Sequence, residues 1–181
     1  MKNVMLITPM LHQGGFERIC VMTARLLEAD YDVTIVVFSM EDIAFDISNL
    51  KVINLDLKSR PGRLAKVINV LRRSRKLTKL QKNLNTDVSY SFGMTANIAN
   101  ALTGGAKKKI CACHSFEEIK NGRYMKLIGK KADLLFCCAK KMTDLAVKQY
   151  GFSNIETLWN PCDTEEVREQ SRKGNKEELT F

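Results

Sequence analysis

The 181-residue sequence lacks the features that mark several classes of protein. No apolar run approaches the roughly 18 residues that a membrane-spanning helix needs. Glycine and proline together contribute only 13 residues, which excludes a collagen-like or low-complexity chain. The apolar start is interrupted by Pro9, and His12-Gln13-Gly14-Gly15 is not a small-residue cleavage site, so we predict that it is not a signal peptide.

Cysteine and aromatic residues are also sparse. Aromatic residues make up 7% of the chain, too few for a protein built around stacking platforms. The six cysteines stand mostly within apolar runs and are too few for a disulfide-dense scaffold. We therefore expect reduced, buried cysteines in a cytoplasmic protein. With 45% apolar residues, the chain can form one domain with a real core and little more.

One long segment, residues 57–86, contains no acidic residue. It accounts for the positive net charge of the whole chain, which is +9. Removing the ten basic residues of that segment from the total of 29 leaves 19 basic against 20 acidic residues, a nearly neutral remainder. They are Lys58, Arg60, Arg63, Lys66, Arg72, Arg73, Arg75, Lys76, Lys79 and Lys82. Such a stripe indicates either a solvated helix face or an anionic partner surface.

Seven short apolar runs alternate with helical patterns along the chain. The runs show little polar alternation, which is typical of strands buried on both faces of a parallel sheet. They are residues 3–8, 32–38, 51–55, 87–92, 109–114, 133–138 and 155–159. The helical patterns are residues 16–29, 63–84, 95–103, 119–131 and 140–150, with Gly151 as a left-handed cap, and residues 38–51 show no helix. This order predicts a Rossmann-like, doubly wound, mainly parallel seven-stranded α/β sheet.

Ligands of such sheets bind beyond the carboxyl ends of the strands, which directs attention to the loop after the first strand. Gly14 and Gly15 stand immediately before a predicted helix, whose free N–H groups and dipole favour an anion such as a diphosphate. The segment matches neither the GxGxxG fingerprint nor the GxxxxGK[ST] phosphate loop. A tight turn without a ligand explains the glycines equally well.

His114 ends a central predicted strand, where it could donate, accept or hold a proton near neutral pH. A hydrogen bond to a neighbouring loop is the simpler alternative. A zinc site is disfavoured, because Cys111 and Cys113 share one face of the strand and His114 takes the other. We therefore expect no bound metal.

Two further segments are candidates for contacts with ligands or surfaces. Ser91 and Asn97 lie at a strand end and a helix start, where capping by Thr95 is the alternative to ligand contact. In residues 63–84 the spacing predicts that the apolar residues face the sheet and the cations face outwards. The apolar set is Leu64, Val67, Ile68 and Leu71, and the candidates for contact with an anionic membrane are Arg63, Lys66, Arg72, Arg73, Arg75, Lys76 and Lys79.

The ordered set of these segments resembles retaining glycosyltransferases of family 4, which have the GT-B fold. The segments are Gly14-Gly15-Phe16-Glu17-Arg18, Ser91-Phe92 with Asn97, His114, Lys131-Ala132-Asp133, Tyr150-Gly151-Phe152, and Asn160-Pro161 with Asp163. The resemblance implies an amino-terminal acceptor-side domain over residues 1–160. Residues 161–181 would then be an interdomain crossover and the truncated start of a carboxyl-terminal domain that is missing.

The resemblance further implies transfer of a sugar from a UDP- or GDP-sugar to a saccharide or lipid-linked saccharide, in cell-envelope biosynthesis, without a metal or other cofactor. His114 would be the catalytic residue, and Gly14, Gly15 and Phe16 would bind the donor diphosphate. His12, Gln13, Ser91 and Asn97 would lie on the acceptor side. The fragment alone would be inactive, and it would lie in the cytoplasm or on the inner face of the membrane.

Two other functions compete with this one. The basic helix could belong to a nucleic-acid-binding module, but residues 57–87 contain no Phe, Tyr or Trp for base stacking, so a nucleic-acid partner is disfavoured. A nicotinamide-dependent oxidoreductase is disfavoured by the missing GxGxxG.

Overall fold

A computed structural model describes residues 1–58, 62–162 and 164–173. The described chain forms one sheet of seven strands in the order β3-β2-β1-β4-β5-β6-β7, and every neighbouring pair is parallel. The strands are β1 Lys2–Thr8, β2 Tyr31–Val37, β3 Val52–Asn54, β4 Val88–Phe92, β5 Lys108–Cys113, β6 Leu134–Cys137 and β7 Ile155–Thr157. The helices are α1 Gly15–Leu27, α2 Arg63–Asn83, α3 Met94–Ala101, α4 Phe116–Lys120, α5 Gly122–Lys131, α6 Lys140–Tyr150 and α7 Thr164–Lys173. The predicted doubly wound α/β fold is confirmed.

Apolar side chains on both faces of the central strands hold the sheet between two layers of helices. In β1, Val4 and Leu6 pack into the cluster that includes Cys20 and Ala24 of α1. The intervening residues, Met5 and Ile7, pack into the cluster on the other face with Leu77 of α2 and Ala96 of α3. Because successive side chains of a strand point to opposite faces, a continuous apolar run is what a sheet covered on both sides requires.

Helix boundaries differ from the predictions in two places. The predicted helix over residues 119–131 is two helices, because Asn121 ends α4 and its side chain accepts a hydrogen bond from the N–H of Tyr124 as the cap of α5. The predicted capping role of Thr95 is wrong, since α3 begins at Met94 after Gly93, whose φ of +81° favours glycine. Gly151 is a left-handed cap as predicted.

The outward face of α2 also contradicts the sequence prediction. Leu64, Val67, Ile68 and Leu71 are exposed and do not face the sheet. Polar side chains on the opposite face instead satisfy carbonyl groups of the segment after β3: Asn69 Nδ2 donates to Lys58 O at 2.8 Å, and Arg73 Nη2 donates to Leu57 O at 2.6 Å. The face of α2 that lies against the fold therefore carries Asn69, Arg73 and the core residue Leu77.

Some predictions concern atoms outside the described part of the chain. These are Arg60, Asp163, the side chain of Arg63, and residues 174–181 of the predicted crossover segment. The six cysteines are free, but the prediction that all are buried is wrong: Cys138 is half-buried and Cys162 is exposed. No helix among the described residues is long and apolar enough to cross a membrane.

Candidate functional site

Several loops meet at the carboxyl edge of the sheet and enclose an open crevice of about 600 Å³. They are the loop after β1, the start of α3, the end of β5 and the segment after β7. Parallel strands bring these loops to one edge, where ligands of such sheets bind. Residues that line the crevice include Gly15, Phe16, Gly93, His114, Ser115 and Asn160.

The N-terminus of α1 opens onto this crevice. No side chain caps the helix, and the extended backbone of Gly14 leads into Gly15, its first residue. Gly15 is exposed, and nothing lies within 4 Å of the position that a Cβ atom would take. The first N–H groups of a helix have no intrahelical acceptor, so the backbone here is accessible to an anion. Phe16 packs its ring against Gly93, where a Cβ atom would lie 3.1 Å from it.

A buried carboxylate lies behind the glycines. Glu17 is 1% exposed, and a Cβ atom on Gly14 would collide with its carboxylate, which explains the glycine at that position. Burial raises the pKa of Glu17. The half-exposed His12 places Nδ1 3.2 Å from Glu17 Oε1, within ion-pair distance when the imidazole is protonated. Gln13 is exposed beside them. The His12 ring is therefore held against the loop and leaves part of its surface accessible.

His114 lies directly after β5 and forms the opposite wall of the crevice. Its ring stacks on Phe92 with 5.9 Å between ring centroids. Burial lowers the pKa of His114 to about 4, although a hydrogen bond with the Asn160 side chain opposes the shift. The imidazole is therefore neutral at pH 7, and its buried Nε2 has no hydrogen-bond partner among the described residues. A neutral ring of this kind can donate or accept one hydrogen bond to a ligand.

Glu118 anchors the backbone on both sides of His114. Its Oε2 accepts from the N–H of His114 at 2.7 Å and from the N–H of Ser115 at 3.1 Å, while Oε1 accepts from Tyr124 Oη at 3.2 Å. Ser115 and Glu118 form a capping box at α4. Our sequence reasoning missed Glu118, although Ser115 followed three residues later by a glutamate is the signature of that box.

The structure does not support acceptor contact by Ser91 and Asn97. Both side chains are fully buried, and Ser91 Oγ donates to Asn97 Oδ1 at 2.7 Å. Asn97 Nδ2 donates to Ala112 O and to Tyr124 Oη, each at 2.7 Å. We correct the prediction: with no exposed surface these residues join β4, α3, β5 and α5, and Asn97 is linked to the site through Tyr124 and Glu118.

The predicted membrane-contact residues of α2 divide into different groups. Arg73 is wrongly assigned, because its guanidinium is buried 4.3 Å above the Phe38 ring and donates to Leu57 O. Lys76 is exposed, but its Nζ donates to Leu55 O at 2.9 Å. The other candidates whose side chains are described are exposed: Lys66, Arg72, Arg75 and Lys79.

Metal-ligating side chains do not cluster in the described part of the chain, where no group of three or more His, Cys, Asp or Glu residues could hold an ion. Cys111 and Cys113 are buried in the core beside α5, away from solvent. Polar groups that face the crevice include the backbone N–H groups at the start of α1 and the neutral imidazole of His114. Such groups suit a polar or anionic ligand.

The fold resembles halves of solved glycosyltransferases. Anabaena Alr3699/HepE, solved in complex with UDP-glucose, matches with a TM-score of 0.66 and 13% identity over 97% of this chain and 51% of that one. The lipopolysaccharide outer core galactosyltransferase WaaB matches with a TM-score of 0.62 and 12% identity, over 90% of this chain and 46% of that one. Acinetobacter baumannii MurG matches with a TM-score of 0.57 and 16% identity, over 78% of this chain and 42% of that one. The chain thus spans about half of the length of these structures.

A comparison with curated proteins found no match. The sequence model of Glycosyltransferase Family 4, however, matches residues 13–166, a range that starts at the glycine loop and includes His114 and Asn160. The sheet order and the flanking helices agree with the Rossmann-like half of a GT-B fold. The chain therefore belongs to Glycosyltransferase Family 4.

Proposed function

We propose that this chain forms the acceptor-side domain of a glycosyltransferase that uses a nucleotide-sugar donor. The observation that carries the proposal is the crevice, where the uncapped N-terminus of α1 faces the neutral imidazole of His114. An anion-binding helix end beside a hydrogen-bonding imidazole suits a sugar attached to a diphosphate. The structure of Anabaena Alr3699/HepE with UDP-glucose is consistent with this class of donor.

The proposed roles follow from the accessible groups. Backbone N–H groups at Gly14, Gly15 and Phe16 would bind the diphosphate and stabilise the negative charge that develops on the leaving group. His114, uncharged at pH 7, would hold a hydroxyl group of the transferred sugar or of the acceptor. His12 and Gln13 remain candidates on the acceptor side, because both keep exposed surface beside the loop.

Other parts of the proposal extend beyond this chain. The donor would be a UDP- or GDP-sugar and the acceptor a saccharide or lipid-linked saccharide of the cell envelope, with retention of configuration and without a metal. Residues 1–160 would be the domain, and residues 161–181 would lead to a carboxyl-terminal domain that closes over the donor. The enzyme would work in the cytoplasm, at the inner face of the membrane.

Gly15→Ala tests the diphosphate site. The methyl group has room in the structure, and alanine at the start of a helix is expected to leave the free energy of unfolding unchanged or raise it by up to about 1 kcal/mol. The same methyl group would stand where a diphosphate must approach the backbone. We expect the affinity for UDP, measured by calorimetry, to fall at least about tenfold.

Gly104→Ala is the matched control, because a Cβ atom there also meets nothing within 4 Å and the residue lies far from the crevice loops. It should bind UDP like the wild type. Inorganic pyrophosphate and GDP, titrated in parallel, separate a diphosphate effect from recognition of the base. Equal UDP affinity in the Gly15→Ala and Gly104→Ala variants would contradict the proposed site.

The two-domain assignment is tested by turnover. The 181-residue chain, supplied with UDP-glucose or GDP-mannose and saccharide acceptors, is expected to release no nucleoside diphosphate above the uncatalysed rate. Closure of two domains over the donor is what excludes water and completes such a site. Efficient turnover by this chain alone would show that the second domain is not required.

A further inference from the structure

Buried polar atoms without hydrogen-bond partners lie together at the N-terminus of α1. They are His12 Nδ1 and both carboxylate oxygens of Glu17, none of which has a partner in the described part of the chain. The helix dipole favours an acidic residue in the first turn, but an exposed carboxylate gains that advantage without being desolvated. A buried, ionised carboxylate without hydrogen bonds is unfavourable. The stability of the helix alone therefore does not account for the position of Glu17.

The Glu17 carboxylate lies directly against the backbone that is proposed to bind the diphosphate. A Cβ atom on Gly14 would collide with Glu17 Oε2. On its outer side the same backbone is open, since Gly15 lines the His114 crevice and both glycines line the groove beside it. A bound diphosphate and the carboxylate would thus lie on either side of a few peptide groups and at the positive end of one helix. Two negative charges this close repel each other, which favours a proton on one of them.

We propose that the His12–Glu17 pair takes up a proton when a diphosphate binds at the N-terminus of α1. His12 Nδ1 lies 3.2 Å from Glu17 Oε1, so the proton would be held between these two atoms and would offset one negative charge beside the ligand. Groups that interact this closely titrate together, and the proton belongs to the pair. This inference rests on the proposed function, because it takes a diphosphate as the ligand of this helix end.

The ionisable groups around Glu17 are consistent with this role of the pair. Burial raises the pKa of Glu17, and its own backbone N–H and His12 oppose the shift only in part. Cys20 on α1 and Tyr90 on β4 are neutral near pH 7, because burial raises the pKa of both. The buried residues that β1 and β2 pack into the cluster with α1 are apolar: Val4, Leu6, Val33, Ile35 and Val37.

A second domain would not remove the need for charge compensation. Glu17 is 1% exposed beneath the backbone of its own chain, so a domain that closes over the crevice would cover the glycines from the outside and leave the carboxylate in place. The arginines of α1 take up no proton, because a guanidinium is always charged. They are Arg18, which lines the crevice, and Arg25, which pairs with Asp46 of the segment after β2.

The pH dependence of donor binding tests the inference. UDP-glucose is the probe, because each of its phosphates is a diester whose charge is constant near neutral pH, so a linked proton must come from the protein. In NMR titrations of the wild-type chain between about pH 5.5 and 8, we expect the association constant to rise about threefold or more for each unit that the pH falls. This slope corresponds to uptake of about half a proton or more. An association constant that does not change with pH would overturn the inference.

Glu17→Gln removes the charge and keeps the shape of the side chain. At about pH 8 it should bind UDP-glucose about threefold or more tightly than the wild type, because the repulsion is gone. Damage to the loop would instead weaken binding. Glu28→Gln is the matched control, because Glu28 is an exposed glutamate at the other end of α1, and it should keep the wild-type affinity at every pH. Equal or weaker binding by the folded Glu17→Gln variant would contradict the proposed repulsion.

The double variant His12→Gln/Glu17→Gln identifies the group that takes up the proton. Its affinity for UDP-glucose should not depend on pH in this range, and a dependence that persists would assign the proton to His114 and overturn the inference. Far-ultraviolet circular dichroism checks that the variants fold, and the wild-type titration is decisive even if one does not. Binding of UDP-glucose without proton uptake would leave the proposed function intact, whereas absence of binding by UDP-glucose and GDP-mannose would contradict both.

Discussion

Replacing Asn97 by alanine is expected to lower the free energy of unfolding by about 3 kcal/mol or more, measured by urea denaturation. The amide makes three short contacts in the core, with Ser91, Tyr124 and the carbonyl oxygen of Ala112. Alanine removes all three bonds. Ser91 Oγ and Tyr124 Oη each keep a further partner, Ile110 O and Glu118 Oε1, but each buried hydrogen bond that is lost costs about 0.5–1.5 kcal/mol, and the missing amide also leaves a cavity. The loss concerns stability, since Asn97 has no exposed surface through which to contact a ligand.

Asn83→Ala, at an exposed position near the end of α2, is the control and should change the free energy of unfolding by less than about 0.5 kcal/mol. UDP affinity, measured where the Asn97→Ala protein is still folded, should stay within about threefold of the wild type. A variant with wild-type stability and impaired binding of saccharide would restore the original prediction that Asn97 contacts the acceptor.

Acidification is expected to destabilise the protein through His114. Its pKa is lowered from an ordinary 6.5 to about 4 by burial. In the unfolded chain His114 therefore binds a proton below pH 6.5, whereas in the folded protein it binds one only when the pH falls to about 4. The contribution of His114 to the free energy of unfolding is complete above pH 6.5 and is lost as the pH falls through that window. The shift corresponds to roughly 3 kcal/mol at the acid end.

His114→Gln should remove most of that acid-dependent loss, seen as a flatter dependence of the unfolding free energy on pH between 6.5 and 4. The variant must be compared with the wild type because Glu17 and Glu118 act in the opposite direction. Burial raises the pKa of each carboxyl group, so their contribution to the free energy of unfolding falls as the pH rises above about 4.5. With only two histidines in the chain, NMR titration can also follow the His114 ring directly. An imidazole that titrates near pH 6.5 would contradict the buried, neutral ring.

Local sequence patterns predicted the elements that depend on local chemistry. The continuous apolar runs of β1 and β2 indicated strands covered on both faces, and Gly151 marked the left-handed end of α6. The place of the crevice followed from the same pattern, because parallel topology brings every strand end to one edge. The sequence alone therefore predicts that His114 and Gly15 lie at that edge.

Side-chain roles at that edge depend on which neighbours the fold brings together. Ser91 and Asn97 are polar residues of the kind that line ligand sites. In the core, however, Ser91 donates a hydrogen bond to Asn97, and Asn97 donates one to Tyr124. Glu118, four positions further along the chain, accepts a hydrogen bond from the backbone N–H of His114. Asn160, 46 positions further along, makes a hydrogen bond with the His114 side chain. The capping-box signature of Ser115 and Glu118 could have indicated the first contact, but no local pattern reports a partner as distant in sequence as Asn160.

Residue order by itself determined a parallel α/β sheet, two glycines leading into the helix after β1 and an unbroken basic segment, because strand periodicity, glycine placement and charge are local properties. Tertiary structure alone decided that His114 is neutral, since burial sets its pKa, and that Arg73 faces inwards while Leu64 and Leu71 face solvent. The reason lies in the segment after β3, whose carbonyl groups accept hydrogen bonds from α2. Asn69 and Arg73 supply those bonds and turn the apolar side of α2 away from the sheet.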